Sequence, residues 1–151
     1  MNTDRKIAVA SDGAGYQLKE AIRLFLTDLG FEVIDCGTDS DASCDYPDFA
    51  VKGCREITEG RADLGILCCG TGIGMSMCAN KIHGIRAACC SDIFSAKFTR
   101  IHNNANVLCM GQRVVGVGLA KELVTAFLEN EYEGGRHERR VAKMMAIEEE
   151  K

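Results

Sequence analysis

Short apolar runs alternate with longer amphipathic stretches along the chain, and this alternation restricts its fold more than any other feature. The apolar runs predict five strands, at residues 6–11, 31–36, 64–69, 85–89 and 106–110. The amphipathic stretches predict helices at residues 15–29, 47–59, 73–81, 91–101, 114–129 and 136–149. Strands that are separated by helices form βαβ units, in which the strands run parallel. The sequence therefore predicts an α/β fold built on a parallel sheet.

Composition and charge limit what such a chain can do. Its 151 residues, 46% of them apolar, contain no linker or repeat, so we expect one domain spanning residues 1–151. A formal net charge of −4 gives no basic surface for nucleic acid, and no nucleic-acid partner is expected. The chain has no run of about 18 apolar residues and no signal-peptide pattern. We therefore expect no membrane partner and a cytoplasmic location.

The chain has nine cysteines. An odd count in a chain expected to be cytoplasmic argues against a disulfide framework. No Cys-x-x-Cys pair occurs, and the doublets Cys68-Cys69 and Cys89-Cys90 lack the spacing of zinc ligands, so no metal site is expected. Most of the cysteines are therefore expected to be small packing residues of the core.

The segment Cys69-Gly70-Thr71-Gly72-Ile73-Gly74 lies between the third predicted strand and a helix. Ligands of open parallel sheets bind beyond the carboxyl ends of the strands, where this segment lies. Its alternate glycines allow backbone N–H groups to approach an anionic oxygen. The segment matches neither a dinucleotide fingerprint nor a Walker loop. Its spacing alone leaves a structural turn and an oxyanion-binding turn equally open.

Cys69 stands at the head of this segment, where a thiolate would be stabilised and could act as a base or a nucleophile. The alternative interpretation is a small residue tolerated at a tight turn. Its neighbour Cys68 points to the opposite face of the strand because side chains alternate, and we interpret Cys68 as a packing residue.

Two further segments carry candidate functional side chains. His102, at the end of a predicted helix, is a candidate general acid or base, with a helix cap or surface group as the alternative. Arg136 and Arg140 are four residues apart, so on a helix both guanidinium groups can meet one phosphate. An ordinary basic helix start is the alternative for this pair.

With these segments, the chain resembles the ribose-5-phosphate isomerase B family, which also includes galactose-6-phosphate isomerase subunits. The resemblance covers almost the whole chain and is carried by several separated motifs in one order. These motifs are Asp45-Tyr46-Pro47, Cys69 to Gly74, Ala79-Asn80-Lys81, Gly84-Ile85-Arg86-Ala87, His102-Asn103, Gly111-Gln112-Arg113-Val114-Val115-Gly116 and Gly134-Gly135-Arg136-His137 to Arg140. The resemblance implies a three-layer Rossmann-like fold with a five-stranded parallel sheet flanked by helices.

The resemblance also implies an isomerase of phosphorylated sugars that needs neither a metal nor an organic cofactor. In that interpretation Cys69 moves a proton between C1 and C2, while His102, with Asp12, helps to open the sugar ring. The residues implied to hold the enediolate, the hydroxyls and the phosphate are Thr71, Gly70, Gly72, Ile73, Gly74, Tyr46, Asn103, Arg113, Arg136 and Arg140. The family forms homodimers or tetramers with shared active sites, and the helix at 136–149 is expected to pack on the partner subunit.

One position departs from the family pattern. Family members commonly carry Asp-His where this chain has Asp12-Gly13, and we expect the missing imidazole to enlarge or reshape the substrate pocket at Gly13. Ribose 5-phosphate is the first candidate substrate, with allose 6-phosphate, galactose 6-phosphate or a tetrose phosphate as alternatives. A non-catalytic sugar-phosphate binding module is the alternative from another functional class, although a pure binder has no need of a base opposite an acid.

Overall fold

Five strands form one parallel sheet in the computed structural model, which describes residues 1–150. The strands are β1 (Lys6–Ser11), β2 (Glu32–Asp35), β3 (Leu64–Cys69), β4 (Ala87–Cys89) and β5 (Val107–Gly111). Their order across the sheet is β2-β1-β3-β5-β4, and each neighbouring pair is parallel. The predicted five-stranded parallel sheet is confirmed.

Helices cover both faces of the sheet. They are α1 (Tyr16–Asp28), α2 (Tyr46–Thr58), α3 (Ile73–Ala79), α4 (Ile93–Asn103), α5 (Val117–Leu128) and α6 (Glu138–Ala146). One apolar core joins α1, α4 and α5 to the sheet, and a second joins α2 and α3 to the opposite face. The three-layer prediction is therefore confirmed. No helix among residues 1–150 is both long and apolar enough to cross a membrane.

The central strand β3 is buried along its whole length and supplies side chains to both cores. Leu64, Ile66 and Cys68 pack toward α1 and α5, whereas Leu67 and Cys69 pack toward α2 and α3. This alternation confirms that Cys68 and Cys69 face opposite sides of the sheet. The chain passes from β1 to β2 on one side and then to β3 on the other, so the carboxyl ends of β1 and β3 flank the switch point where such sheets bind ligands.

Several element boundaries differ from the predicted ones for local reasons. The fourth strand begins only at Ala87, since the Arg86 amide donates to the Asn106 side chain at 2.8 Å. Helix α4 continues through Asn103 and ends where Asn104 adopts a left-handed conformation with φ 50°. The predicted C-terminal helix is divided into a 3-10 turn at Gly135–His137, α6, and a second 3-10 turn at Ile147–Glu150.

Candidate active site

The carboxyl ends of β1 and β3 border a cleft of about 420 Å³ that brings together many of the predicted site residues. Its lining consists of Asp12, Ala14, Tyr46, Cys69, Gly70, Thr71, Ile73, Gly74, Met77 and Arg113. Only Ala14 and Met77 were not predicted to belong to a site. Met77 lies one turn after Ile73 on α3, and this four-residue spacing is the signal that would have found it.

The Cys69 thiol is 5% exposed and accepts a hydrogen bond from the Gly72 amide at 3.0 Å. Gly72 adopts φ 79°, a conformation that suits glycine and turns its N–H back toward the sulfur. A donated N–H brings partial positive charge to the sulfur, which is what a thiolate requires. The next amide, that of Ile73, donates to Thr71 Oγ1 at 3.3 Å, so two of the amides predicted to bind an oxyanion contact the loop's own side chains.

The other thiols differ from Cys69 in their surroundings. Burial raises the pKa of Cys36 and Cys90 to about 11 and that of Cys54 to about 12. Burial also raises the pKa of Cys68 and Cys109. All nine cysteines are free thiols. The prediction that the others are core residues holds for the buried ones, but it is wrong for Cys89, which is exposed and points its Sγ at the Thr71 carbonyl at 3.7 Å.

Asp12 follows β1 directly and is 9% exposed. Its Oδ1 accepts a hydrogen bond from the Gly15 amide at 3.0 Å, which fixes the carboxylate beside the first turn of α1. Asp12 therefore reaches the Cys69 cleft in a defined orientation.

The space beside Gly13 is filled by the backbone of a neighbouring loop. A Cβ at this position would lie 2.1 Å from the Ala42 carbonyl oxygen and 2.8 Å from that of Asp41. The loop therefore occupies the space next to Gly13, and the expectation that the missing imidazole enlarges or reshapes the pocket stays a prediction. A separate recess of about 210 Å³ is lined by Asp12, Gly13, Ala14, Asp41, Ser43, Cys44 and Arg113.

His102 and Asn103 line a different cleft, of about 480 Å³, beside the carboxyl end of β4. The other residues of this cleft are Ala88, Cys89, Cys90, Phe94, Ser95, Phe98 and Thr99. The two clefts have no lining residue in common. One chain therefore does not bring His102 into the cleft that holds Asp12 and Cys69.

Three arginines predicted to bind phosphate carry charge that no acidic group offsets. Among residues 1–150, no carboxylate lies within salt-bridge distance of Arg113, Arg136 or Arg140. Arg136 lies in the 3-10 turn before α6 rather than in the helix, and Arg140 Nη1 donates to its carbonyl at 3.3 Å. Unpaired guanidinium groups of this kind are suited to an anionic ligand.

His137 and Glu133 are neighbours of His102 that the sequence analysis did not assign to the site. The rings of His102 and His137 are stacked, with centroids 4.3 Å apart and planes 19° apart. His137 Nε2 lies 3.2 Å from Glu133 Oε2. Ligand atoms of the three side chains lie within 4.8 Å of one another, but the in-plane lone pairs of stacked rings do not converge on one ion. The four-residue spacing of Glu133 and His137, next to Arg136, is the signal that could have revealed this group.

Comparison with known proteins finds a matching family and similar relatives. The family model described as Ribose/Galactose Isomerase matches residues 7–144. The chain is 49% identical over 144 residues to the ribose-5-phosphate isomerase B of Escherichia coli strain K12, covering 95% of this chain and 97% of that protein. It is 44% identical over 139 residues to the D-erythrulose-4-phosphate isomerase of Pectobacterium atrosepticum, covering 91% of each chain.

Solved structures show the same fold. The ribose-5-phosphate isomerase B of Clostridium thermocellum superimposes with a TM-score of 0.95 at 48% identity, covering 96% of this chain and 98% of that chain. The type B ribose 5-phosphate isomerase of Trypanosoma brucei gives a TM-score of 0.91 at 42% identity, covering 95% and 98% respectively.

Proposed function

The chain belongs to the ribose/galactose isomerase family, and on that premise we propose that it interconverts ribose 5-phosphate and ribulose 5-phosphate without a cofactor. The observation that carries the proposal is the Cys69 thiol, which lies in a cleft with Asp12, Thr71 and Arg113 and accepts an N–H from Gly72. In this proposal Cys69 is the base, Asp12 and Thr71 are polar groups and Arg113 is a cation, all in a cleft that receives one small ligand. An aldose–ketose isomerase requires these three components.

Cys69 is the proposed base. As a thiolate it removes the proton from C2 of the open-chain aldose, and the electron pair moves to the carbonyl oxygen on C1, giving an enediolate. The thiol then returns the proton to C1, while the proton of the C2 hydroxyl passes to the oxygen on C1 and leaves a carbonyl at C2. Thr71 and the amides of the 70–74 loop other than those of Gly72 and Ile73 are the proposed donors to the enediolate oxygens, since the Gly72 and Ile73 amides contact the loop's own side chains.

The proposed roles are divided between the two clefts. Cys69 and Asp12 line one cleft and His102 lines the other. One substrate molecule can therefore contact all three side chains only if the cleft of one subunit meets the other cleft of a partner subunit. Large apolar side chains at the clefts support such a contact, since Met77 is 63% exposed and Phe94 is 71% exposed. We therefore propose a homodimer or tetramer with shared active sites, in which His102 assists ring opening.

The phosphate is the proposed ligand of Arg113, Arg136 and Arg140. Their unpaired charge supports this assignment, and a remote phosphate fixes the reacting end of the sugar in the cleft. Helix α6 buries none of its own residues, which supports the prediction that the C-terminal segment packs on a partner subunit. The free thiols fit a cytosolic location, which we propose for the reaction.

Ribose 5-phosphate is proposed as the substrate because a relative 49% identical to this chain and two solved structures 48% and 42% identical to it are named as ribose-5-phosphate isomerases of type B. A relative named for D-erythrulose 4-phosphate, at 44% identity, supports a four-carbon sugar phosphate as the second candidate. We propose that glycine at position 13 affects the choice between these substrates and not the chemistry at Cys69.

A substrate panel tests the proposal. The protein, treated with a chelator, is incubated with ribose 5-phosphate, allose 6-phosphate, galactose 6-phosphate and erythrose 4-phosphate, and ketose formation is measured. We expect the highest kcat/KM with ribose 5-phosphate. Faster turnover of another sugar phosphate would replace ribose 5-phosphate as the proposed substrate but leave the proposed isomerisation unchanged. Binding of these compounds without turnover of any of them would favour the non-catalytic binding module.

A further inference from the structure

Helix α4 presents a column of rings that leads to His102. Phe94, Phe98 and His102 are spaced four residues apart along the helix. The ring centroids of Phe94 and Phe98 lie 4.5 Å apart, and those of Phe98 and His102 lie 4.8 Å apart. His137, from the turn before α6, adds a fourth ring that stacks on His102 with the centroids 4.3 Å apart. The His102 imidazole therefore contacts the rings of both Phe98 and His137.

These ring contacts are what fixes His102. Its nitrogens make no hydrogen bond to any group within residues 1–150. Phe98 is inclined by 47° to the imidazole, whereas His137 lies within 19° of parallel and covers its face. Without His137, one face of the His102 ring would be open and its torsion angles free to change.

His137 is itself firmly held. Its residue is 8% exposed, and its Nε2, when it carries a proton, donates to Glu133 Oε2 at 3.2 Å. The Glu133 amide donates to the Ile101 carbonyl at 3.0 Å, which ties this segment to the last turn of α4 beside His102. The segment that carries Arg136 is thus coupled to the helix that carries His102.

We propose that His137, anchored by Glu133, is a positioning residue that holds the His102 imidazole in the orientation required for opening the sugar ring. The inference rests on the proposed isomerase function, and it assigns to His137 a role in one step of that reaction only. Ring opening and proton transfer between C1 and C2 are separate steps, with separate residues. Loss of His137 should therefore impair the first step and spare the second.

The two steps can be measured separately. Ribose 5-phosphate is mainly a furanose that must open, whereas ribulose 5-phosphate has no free hydroxyl able to close a furanose and is already open. Conversion of the aldose therefore requires both steps, but deuterium incorporation at C1 of the ketose in D₂O requires only the proton transfer. We suggest both assays for the wild-type protein, His137→Ala, His137→Phe, Glu133→Gln and the control Glu138→Gln, whose carboxylate is exposed and lies outside this cluster.

We expect His137→Ala to lower aldose conversion by roughly tenfold or more while deuterium incorporation stays within about twofold of wild type. His137→Phe should recover most of the conversion because it restores a ring face against His102. Glu133→Gln should lower conversion by a smaller factor, about threefold, again without affecting exchange. Glu138→Gln should match the wild-type protein in both assays.

An equal fall in both rates in His137→Ala and Glu133→Gln would overturn the inference, because it would indicate a structural role. Unchanged rates in both variants would overturn it as well. If His137→Ala does not fold, Glu133→Gln and His137→Phe decide the question, since both keep a ring against His102. A wild-type protein inactive in both assays would be a distinct result and would refute the proposed function itself.

Discussion

Cys68 and Cys69 are adjacent thiols that their surroundings make chemically different. Cys68 is completely buried among apolar side chains, and burial raises its pKa, so it remains a neutral packing group. Cys69 lies at the cleft and receives the N–H of Gly72. The alternation of side chains along β3 and the turn at Gly72 therefore decide which of the two thiols can act as a base.

Gly13 is constrained by space rather than by backbone conformation. A methyl group there would lie 2.1 Å from the Ala42 carbonyl oxygen, so Gly13→Ala must displace the 41–44 loop and should lower the free energy of unfolding by about 1–3 kcal/mol. Urea denaturation measures this change. Gly118→Ala is the control, because nothing lies within 4 Å of its added methyl group on α5 and it should be neutral or stabilising. Equal stability of Gly13→Ala and wild type would contradict the contact.

For individual residues, the sequence predicted which side chains line the Cys69 cleft better than it predicted their contacts with distant parts of the chain. Strand alternation separates Cys68 from Cys69, because it depends only on local backbone geometry. The contact of Gly13 with Ala42 could not be predicted, since it depends on how a loop far along the chain folds back. The stacking of His137 on His102 could not be predicted from the sequence either, because it depends on how the turn before α6 packs against α4.

Helix α4 is the element on which the His102 cleft depends. Its N-terminus is capped by Asp92, whose Oδ1 accepts the Ser95 amide at 2.7 Å, and its C-terminus ends at Asn104. The amphipathic pattern predicted the helix, but its last turn and the left-handed Asn104 were not evident from periodicity. The two extra residues are His102 and Asn103, so the helix end itself positions the candidate site.

The Asp92 cap should stabilise the protein in a pH-dependent way. The hydrogen bonds from Ser95 hold the pKa of Asp92 below its usual value, so the stabilisation is present above the unfolded-state pKa near about 4 and is lost as pH falls through the lower folded-state value. Asp92→Ala should lower the thermal midpoint by a few degrees at neutral pH and by much less near pH ~2. Asp45→Ala is the matched control, because Asp45 precedes α2 without a side-chain cap. A midpoint difference that persists at low pH would contradict this account.

The whole molecule places its candidate catalytic residues in two clefts. The sequence pattern predicted the sheet and its helices, and the family resemblance implied an assembly, but neither could show which residues one chain brings together. That distribution follows from strand order: β4 lies at the sheet edge, beyond β5, while β1 and β3 are central. His102, beside β4, is thereby separated from Cys69.

Mixing two inactive variants tests the shared site. Cys69→Ala and His102→Asn should each be nearly inactive alone, because each lacks one of the two reacting groups. Refolded together in equal amounts, they should recover up to about a quarter of wild-type activity, since half of random dimers are hybrid and each hybrid has one intact site. No recovery, with hybrid dimers demonstrated by a tag on one variant, would contradict active sites shared between copies.

The buried thiols should make the protein sensitive to alkaline pH. The folded-state pKa of Cys36 and Cys90 is about 11 and that of Cys54 about 12, whereas an unfolded thiol ionises near about 8.5. Stability is therefore full below the unfolded value and declines as pH rises toward the folded values. Urea midpoints under reducing conditions should fall between pH ~8 and pH ~10.5, and the fall should be smaller in Cys54→Ala. A midpoint independent of pH over this range would contradict the prediction.

The most direct test of the proposed chemistry is deuterium incorporation at C1 of ribulose 5-phosphate in D₂O by Cys69→Ala and Cys68→Ala. Cys68→Ala removes a neighbouring buried thiol and so controls for lost packing. We expect the exchange rate to fall by roughly a hundredfold or more in Cys69→Ala and to stay at the wild-type level in Cys68→Ala. Exchange at the wild-type rate in Cys69→Ala would contradict the assignment of Cys69 as the base.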